Sequence, residues 1–141
     1  FVAEKGNGAY MQKNGKREKL RVSSVGNLLD ARAVMSRHHL LPADEKLLKK
    51  FKVSKFVQMG SAGLKAAVVA QGQADFYFTT TQRIKQWDTA AAHCLVTEAG
   101  GKVSDLSGQE LQYNTEEVFH RNGILISNKN IFNHIVEANK T

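Results

Sequence analysis

Asp88 follows Trp87 and opens an alanine-rich stretch, Thr89-Ala90-Ala91-Ala92, that runs to Thr97-Glu98-Ala99 and closes on Gly100-Gly101. A carboxylate at a helix start has two uses. It can accept N–H groups that the first turn leaves unpaired, with Trp87 packing back as a staple. It can also turn outward as an oxygen ligand for a hard cation such as Mg2+, which keeps waters for a substrate. One carboxylate does not complete a metal site, and Glu98, several turns further on, reads as a surface or outer acid.

A second constellation is Met59-Gly60-Ser61-Ala62-Gly63-Leu64-Lys65. A strand passing through small residues into a helix leaves backbone N–H groups free at the helix N-terminus, where the dipole also favours an anion. Ser61 and Lys65 are four residues apart and share a helix face, so a hydroxyl and an ammonium can meet one phosphate. A capped helix with a solvated lysine satisfies the same pattern, and the glycine spacing is not that of a Walker loop. Ser36-Arg37-His38-His39 sits where a strand should end, the place where α/β sheets line ligand crevices. Two adjacent histidines without a cysteine pair make a poor zinc site. Between Asp75 and Asp88 there is no carboxylate, while Arg83 and Lys85 add cations just before Trp87. That rim suits a second phosphate; a solvated basic loop reads the same way. Cys94 falls in mid-helix, away from any strand-to-helix elbow that would make it a nucleophile.

These groups need a scaffold, and the pattern supplies one. Residues 1–24 read as an antiparallel meander, with turns at Lys5-Gly6-Asn7-Gly8 and Lys13-Asn14-Gly15-Lys16. Strands are expected around Ala9-Tyr10-Met11 and Leu20-Arg21-Val22. Three strands alone are marginal, so the meander should belong to a larger sheet that the chain does not complete. Residues 25–141 alternate strands and helices. Strands are expected at Ala31–Ser36, Val53–Met59, Ala74–Phe78, Lys102–Leu106 and Gly123–Ser127. One helix starts at Pro42, with Asp44 and Glu45 in its first turn and Lys49 and Lys50 in its last, matching the dipole at both ends. Others are expected from Ser61 to about Gln71, over Asp88–Ala99 with Ala91, Ala92, Leu95, Val96 and Ala99 on one apolar face, and after an Asn128 cap with Ile131, Phe132, Ile135 and Val136 inward. The class is α/β, a mixed sheet flanked by helices.

With 141 residues the chain is one domain in size, and its 42% apolar and 23% charged composition is that of an ordinary soluble protein. No apolar run reaches the roughly 20 residues that cross a bilayer. The single cysteine excludes an internal disulfide and fits a reducing compartment, so a cytoplasmic location is expected. A net charge of +7 points to anionic partners. A basic nucleic-acid-binding module is therefore one alternative, although the interleaved basic and aromatic platform of single-strand binders is lacking. Phe1-Val2-Ala3 starts within what reads as a strand and suggests a fragment.

Trp87-Asp88-Thr89-Ala90-Ala91 through Glu98-Ala99-Gly100-Gly101 resembles the C-terminal signature of the inositol monophosphatase superfamily of Mg2+-dependent, lithium-sensitive phosphatases. Glu4–Tyr10 resembles the family's central hairpin, and Gly60–Lys65 through Gly72-Gln73-Ala74-Asp75 its strand-helix-strand segment. Ser36-Arg37-His38-His39 with Lys65 looks most like the 3'(2'),5'-bisphosphate nucleotidases, which remove the 3'-phosphate of 3'-phosphoadenosine 5'-phosphate, a by-product of sulfate transfer in sulfur metabolism. The resemblance implies the C-terminal part of the layered αβαβα sugar-phosphatase fold. It implies Mg2+ as cofactor, Asp88 as a metal ligand, Ser36 and His39 on the nucleotide, and Gly60, Ser61 and Lys65 around the phosphate that is not cleaved. The nucleophile would be a metal-activated water, with no catalytic residue of its own in this chain. Inositol-specific members carry a glutamate before the Trp-Asp pair; here that stretch holds Thr81 and cations, which favours the nucleotide. An inositol or sugar phosphate stays as the alternative substrate. The family's Asp-Pro-Ile/Leu-Asp-Gly-Thr motif is absent, since the one proline, Pro42, lies between Leu41 and Ala43. The chain therefore reads as the C-terminal half of such an enzyme, inactive alone. Its expected partners are a phosphorylated nucleotide and the N-terminal half, with a homodimer left open and neither a membrane nor a nucleic acid expected.

Overall fold

The computed structural model describes residues 1–141. Gly6 (φ 82°), Asn14 (φ 51°) and Gly15 (φ 73°) adopt the left-handed backbone that tight turns need. They join β1 (Val2–Glu4), β2 (Gly8–Lys13) and β3 (Lys16–Lys19) into an antiparallel sheet in that order. The third strand thus falls on charged, exposed Lys16–Lys19 and not on Leu20–Val22. Lysines suit an edge strand because they discourage further pairing. Leu20 turns inward and is buried, its N–H donating to Ala9 O at 2.8 Å, while Val22 N–H donates to Ala99 O at 3.0 Å. Apolar character here marks the return of the chain to the core.

The remainder alternates as β4 (Arg32–Ser36), α1 (Pro42–Lys50), β5 (Lys55–Met59), α2 (Ala62–Ala70), β6 (Phe76–Thr79), α3 (Gln86–Glu98), β7 (Gly101–Ser104), β8 (Ile124–Asn128) and α4 (Lys129–Lys140). The five-stranded sheet has the order β5-β4-β6-β8-β7. β4 runs parallel to β5 and β6, and β8 runs antiparallel to β6 and β7, so the sheet is mixed. The inner strands are buried on both faces, and successive side chains alternate between the two as a period of two requires. Phe76 and Phe78 of β6 and Leu125 of β8 join one apolar cluster with α1 and α4, while Tyr77, Ile124 and Ile126 join the other with α2, α3 and the small sheet. The layers are therefore α1/α4, large sheet, α2/α3, small sheet.

Several boundaries differ from the sequence expectation. β5 begins at Lys55 because Val53 N–H still serves Leu48 O at the end of α1, and β6 begins at Phe76 because Ala74 N–H is spent on Val68 O. Strand β7 ends at Ser104, short of Leu106. Helix α3 starts two residues earlier than expected, and its apolar face is narrower than expected, with Ala91 on the solvent side while Ala92, Leu95, Val96 and Ala99 are buried. Trp87 is 64% exposed and does not staple the helix. Glu98 is neither a free surface acid nor part of the site. Its carboxylate accepts Gly6 N–H at 2.9 Å and Gly8 N–H at 3.0 Å, tying the β1–β2 turn to the end of α3. Those two backbone donors hold its carboxyl below the ordinary range.

At the far ends of the strands, Asp75 is fully buried. Its carboxylate receives Arg32 N–H at 2.6 Å, Arg32 Nε at 3.1 Å and Nη2 at 3.0 Å, and the Ser23 hydroxyl. Asn128 caps α4 through Asn130 N–H (2.9 Å) and Ile131 N–H (3.0 Å), and its amide donates to Ser23 Oγ and Val25 O. No helix is long and apolar enough to cross a membrane.

Candidate functional site

β4, β5 and β6 are parallel, so their carboxyl ends open on one edge of the sheet, and each feeds a helix whose N-terminus returns there. The helices after β4 and β5 leave to opposite faces, since α1 packs in one apolar cluster and α2 in the other. Such a reversal opens a crevice beyond the strand ends. A cleft of about 1250 Å3 lies at this place. Its walls bring together Ser36, His38, His39, Gly60, Ser61, Lys65, Arg83 and Asp88, from segments far apart in sequence. Lys85 is not among them. Its ammonium lies 5.2 Å from the centre of the Trp87 ring and 5.4 Å from that of Phe119, drawn away by two aromatic faces.

Asp88 is the third residue of α3. It does not cap the helix from in front; its Oδ2 reaches back to accept Lys85 N–H at 2.9 Å. The start of α3 is held in turn by Gln86. Gln86 donates through Nε2 to Thr115 Oγ1 (2.7 Å) and Glu117 O (2.8 Å), and its Oε1 accepts Asn114 N–H (2.7 Å). Behind it, Thr89 Oγ1 and His120 Nε2 are 2.7 Å apart, and Tyr113 bonds both Thr89 (3.2 Å) and His93 (2.9 Å). Burial pushes the His120 imidazolium down, Asp88 opposes that shift, and His93 adds to it.

Asp88 is the only carboxylate on the cleft wall, and its Oδ1 makes no hydrogen bond within the chain. That oxygen suits a hard cation. Nowhere do three His, Cys, Asp or Glu side chains converge. The residues present therefore fit as one ligand of a Mg2+ site and not as a complete one.

Helix α2 is capped by Ser61, whose Oγ accepts Leu64 N–H at 3.3 Å and whose backbone (φ 61°, ψ 122°) is strained for a non-glycine residue. Strain of this kind collects at ligand sites. A Cβ at Gly60 would meet no atom within 4 Å, so packing does not demand glycine there. Ser36 is half-buried and accepts His39 N–H at 3.2 Å, which folds the Ser36–His39 segment back on itself.

The inositol monophosphatase family model matches residues 1–140. The chain belongs to that family. It is 30% identical over 145 residues to the 3',5'-bisphosphate nucleotidase 2 of Arabidopsis thaliana, covering 98% of this chain and 42% of that protein. It is 35% identical over 127 residues to the fructose-1,6-bisphosphatase/inositol-1-monophosphatase of Thermotoga maritima, covering 89% and 46%. Among solved structures, the extragenic suppressor protein suhB of Bartonella henselae superposes with a TM-score of 0.76 at 29% identity, over 98% of this chain and 51% of that one. The chain thus spans less than half of these two relatives and about half of the suhB chain.

Within this inositol monophosphatase family chain, one buried acid braces the cleft from behind its walls without any sign of that role in the sequence. Asp44 is fully buried. It accepts Leu41 N–H (3.1 Å), Thr80 N–H (2.7 Å), Thr80 Oγ1–H (2.8 Å) and Thr79 Oγ1–H (3.5 Å). It therefore ties the segment that follows Ser36–His39 to the Thr79–Thr81 rim, two walls of one cleft. Its first-turn position reads as a dipole partner, and nothing local announces the contact 36 residues away. Asp44→Ala would strand two backbone donors and is expected to lower stability by about 2–4 kcal/mol, read as a shift in the urea midpoint. Glu45→Ala, exposed on the same turn, should change it by less than about 1 kcal/mol.

Proposed function

We propose that the chain forms one wall of a Mg2+-dependent phosphomonoesterase that removes the 3'-phosphate of 3'-phosphoadenosine 5'-phosphate. The supporting observation is the cleft itself: a lone carboxylate, Asp88, shares it with a set of donors made by Ser61, Lys65, Arg83, His38, His39 and the Thr81 hydroxyl. Two phosphates need such a set, and a polyol does not. When bound, Mg2+ would supply an activated water and charge neutralisation. Asp88 would give it one oxygen. Ser61, the N-terminus of α2 and Lys65 would hold the phosphate that stays, Ser36 and His39 would contact the nucleoside, and Arg83 would approach the second phosphate.

In this reading residues 1–24 extend a sheet of a preceding domain, residues 25–141 form the C-terminal lobe, and the remaining metal ligands come from upstream. The lone thiol of Cys94 suits the cytoplasm. The Thermotoga relative, named for fructose-1,6-bisphosphate and inositol 1-phosphate, supports a second reading with a sugar or inositol phosphate.

Phosphate release separates these readings. The 141-residue chain alone should release none. The chain joined to its family-type N-terminal half should release phosphate from 3'-phosphoadenosine 5'-phosphate faster than from inositol 1-phosphate, in proportion to added Mg2+. The reverse preference would move the substrate to the second reading, and turnover by the chain alone would remove the half-enzyme reading.

A further inference from the structure

β6 presents three aromatic residues in a row, Phe76, Tyr77 and Phe78, which are 0%, 2% and 0% exposed. Phe76 and Phe78 point to one face of the sheet and Tyr77 to the other, toward α2 and α3, so the hydroxyl of Tyr77 has to be accounted for there. A buried tyrosine hydroxyl ordinarily finds a hydrogen-bond partner. Tyr77 Oη finds none within the chain. It is not sealed either, because no side-chain oxygen or nitrogen without solvent access lacks a partner in this structure. Tyr77 lines the cleft, so its hydroxyl meets the cleft space.

Lys65 has the same character. It is 3% exposed, forms no ion pair, and lines the same cleft, with its ammonium 4.8 Å from the centre of the Tyr77 ring. A lysine in such burial is normally paired. Here α2 and β6 bring together two nine-tenths-buried side chains, each with a donor that no group of the chain accepts, beside the N-terminus of α2 at Ser61. Asp44, the acid whose charge acts on Tyr77, already accepts from Leu41, Thr79 and Thr80.

We propose that Tyr77 is a ligand-binding residue whose phenol O–H, with the Lys65 ammonium, donates to one phosphate group on the floor of the cleft. This deepens the phosphatase reading and rests on it for the identity of the natural ligand. Burial, and next the charge of Asp44, push the Tyr77 phenol well above its ordinary value. It therefore stays protonated and can donate throughout the working pH range. Burial pushes Lys65 down, a shift that a neighbouring phosphate dianion would reverse.

The test uses the full chain and two probes, inorganic phosphate and 3'-phosphoadenosine 5'-phosphate, titrated by amide chemical-shift changes. Tyr77→Phe removes one oxygen and keeps the ring over which Lys65 sits. Its affinity for both probes should fall about tenfold, since a hydrogen bond to a charged group is lost. Its melting temperature should be unchanged or higher, because no internal bond is broken. Lys65→Met should weaken both probes as well. Affinity of Tyr77→Phe within twofold of the parent would overturn the assignment while leaving the phosphatase reading standing. A lower melting temperature would make the hydroxyl structural and overturn it too. Failure of the parent chain to bind either probe would show that no phosphate is held there; phosphate release by the longer protein would judge the phosphatase reading separately.

Discussion

Asp88→Asn should, on the phosphatase function proposed above, reduce phosphate release by roughly 100-fold or more, measured at saturating substrate on the chain joined to a family-type N-terminal half. The side chain keeps its shape, and its carbonyl can still accept Lys85 N–H, the bond that anchors the native carboxylate at 2.9 Å. What it loses is charge. If Asp88 supplies an oxygen to Mg2+, the Mg2+ midpoint should rise by about 10–100-fold, the range seen even for residues one shell further out. The melting temperature should hardly move. Asp88→Ala removes the backbone contact as well and should cost about 1 kcal/mol in addition. A variant with normal Mg2+ dependence and lost stability would reduce Asp88 to a helix-end residue. Both roles are open to one carboxylate here, because one oxygen serves the backbone while the other stays free.

Asp75→Asn should destabilise the fold by about 3 kcal/mol, the lower end of what breaking a buried ion pair costs. Asn would turn an amide toward donors from Arg32 and Ser23 that the carboxylate now satisfies. Arg32 is 44% exposed and can be rehydrated, which keeps the loss at that lower end. pH carries a second signature. Burial alone would raise the Asp75 carboxyl, but the Arg32 side chain, the Ser23 hydroxyl and Arg32 N–H outweigh it and leave the group below its ordinary value of 3.8. A carboxyl depressed in the folded state contributes stability that is present above its unfolded value and lost as pH falls through the folded one. Urea midpoints of the parent should therefore drop as pH is taken from about 5 to 2, and this part of the drop should be missing in Asp75→Asn. Equal acid sensitivity of the two proteins would place the stabilising charge elsewhere.

Much of the architecture is written in local pattern. The Asn-Gly turns, the Pro42 start with acids first and lysines last, the Asn128 cap and the nearly continuous apolar run Ala74–Phe78 are decided by neighbours a few residues apart. Period and turn chemistry are enough to read them. The residues brought to the cleft by different strands, Ser36, Ser61 and Asp88, were also nameable from sequence, since strand-to-helix junctions repeat a recognisable chemistry. Element limits were less legible. Val53 and Ala74 look like strand residues, yet their N–H groups are taken by the preceding helices. Leu20–Val22 looks like a strand because its apolar side chains serve the core from an irregular segment.

The sequence by itself determined the α/β class, the capping residues Ser61 and Asn128 and the identity of the polar groups, because these depend on backbone periodicity and on hydrogen bonds within one turn. Only the tertiary structure decided what those groups face. Lys85 and Arg83 are two residues apart, but two aromatic rings take one away while the other lines the cleft. Asp44 reads as a dipole partner and becomes the clamp between two cleft walls. Tyr77 reads as core and carries an unsatisfied donor into the cleft. In each case the deciding partner lies on another element, and only packing brings it within reach.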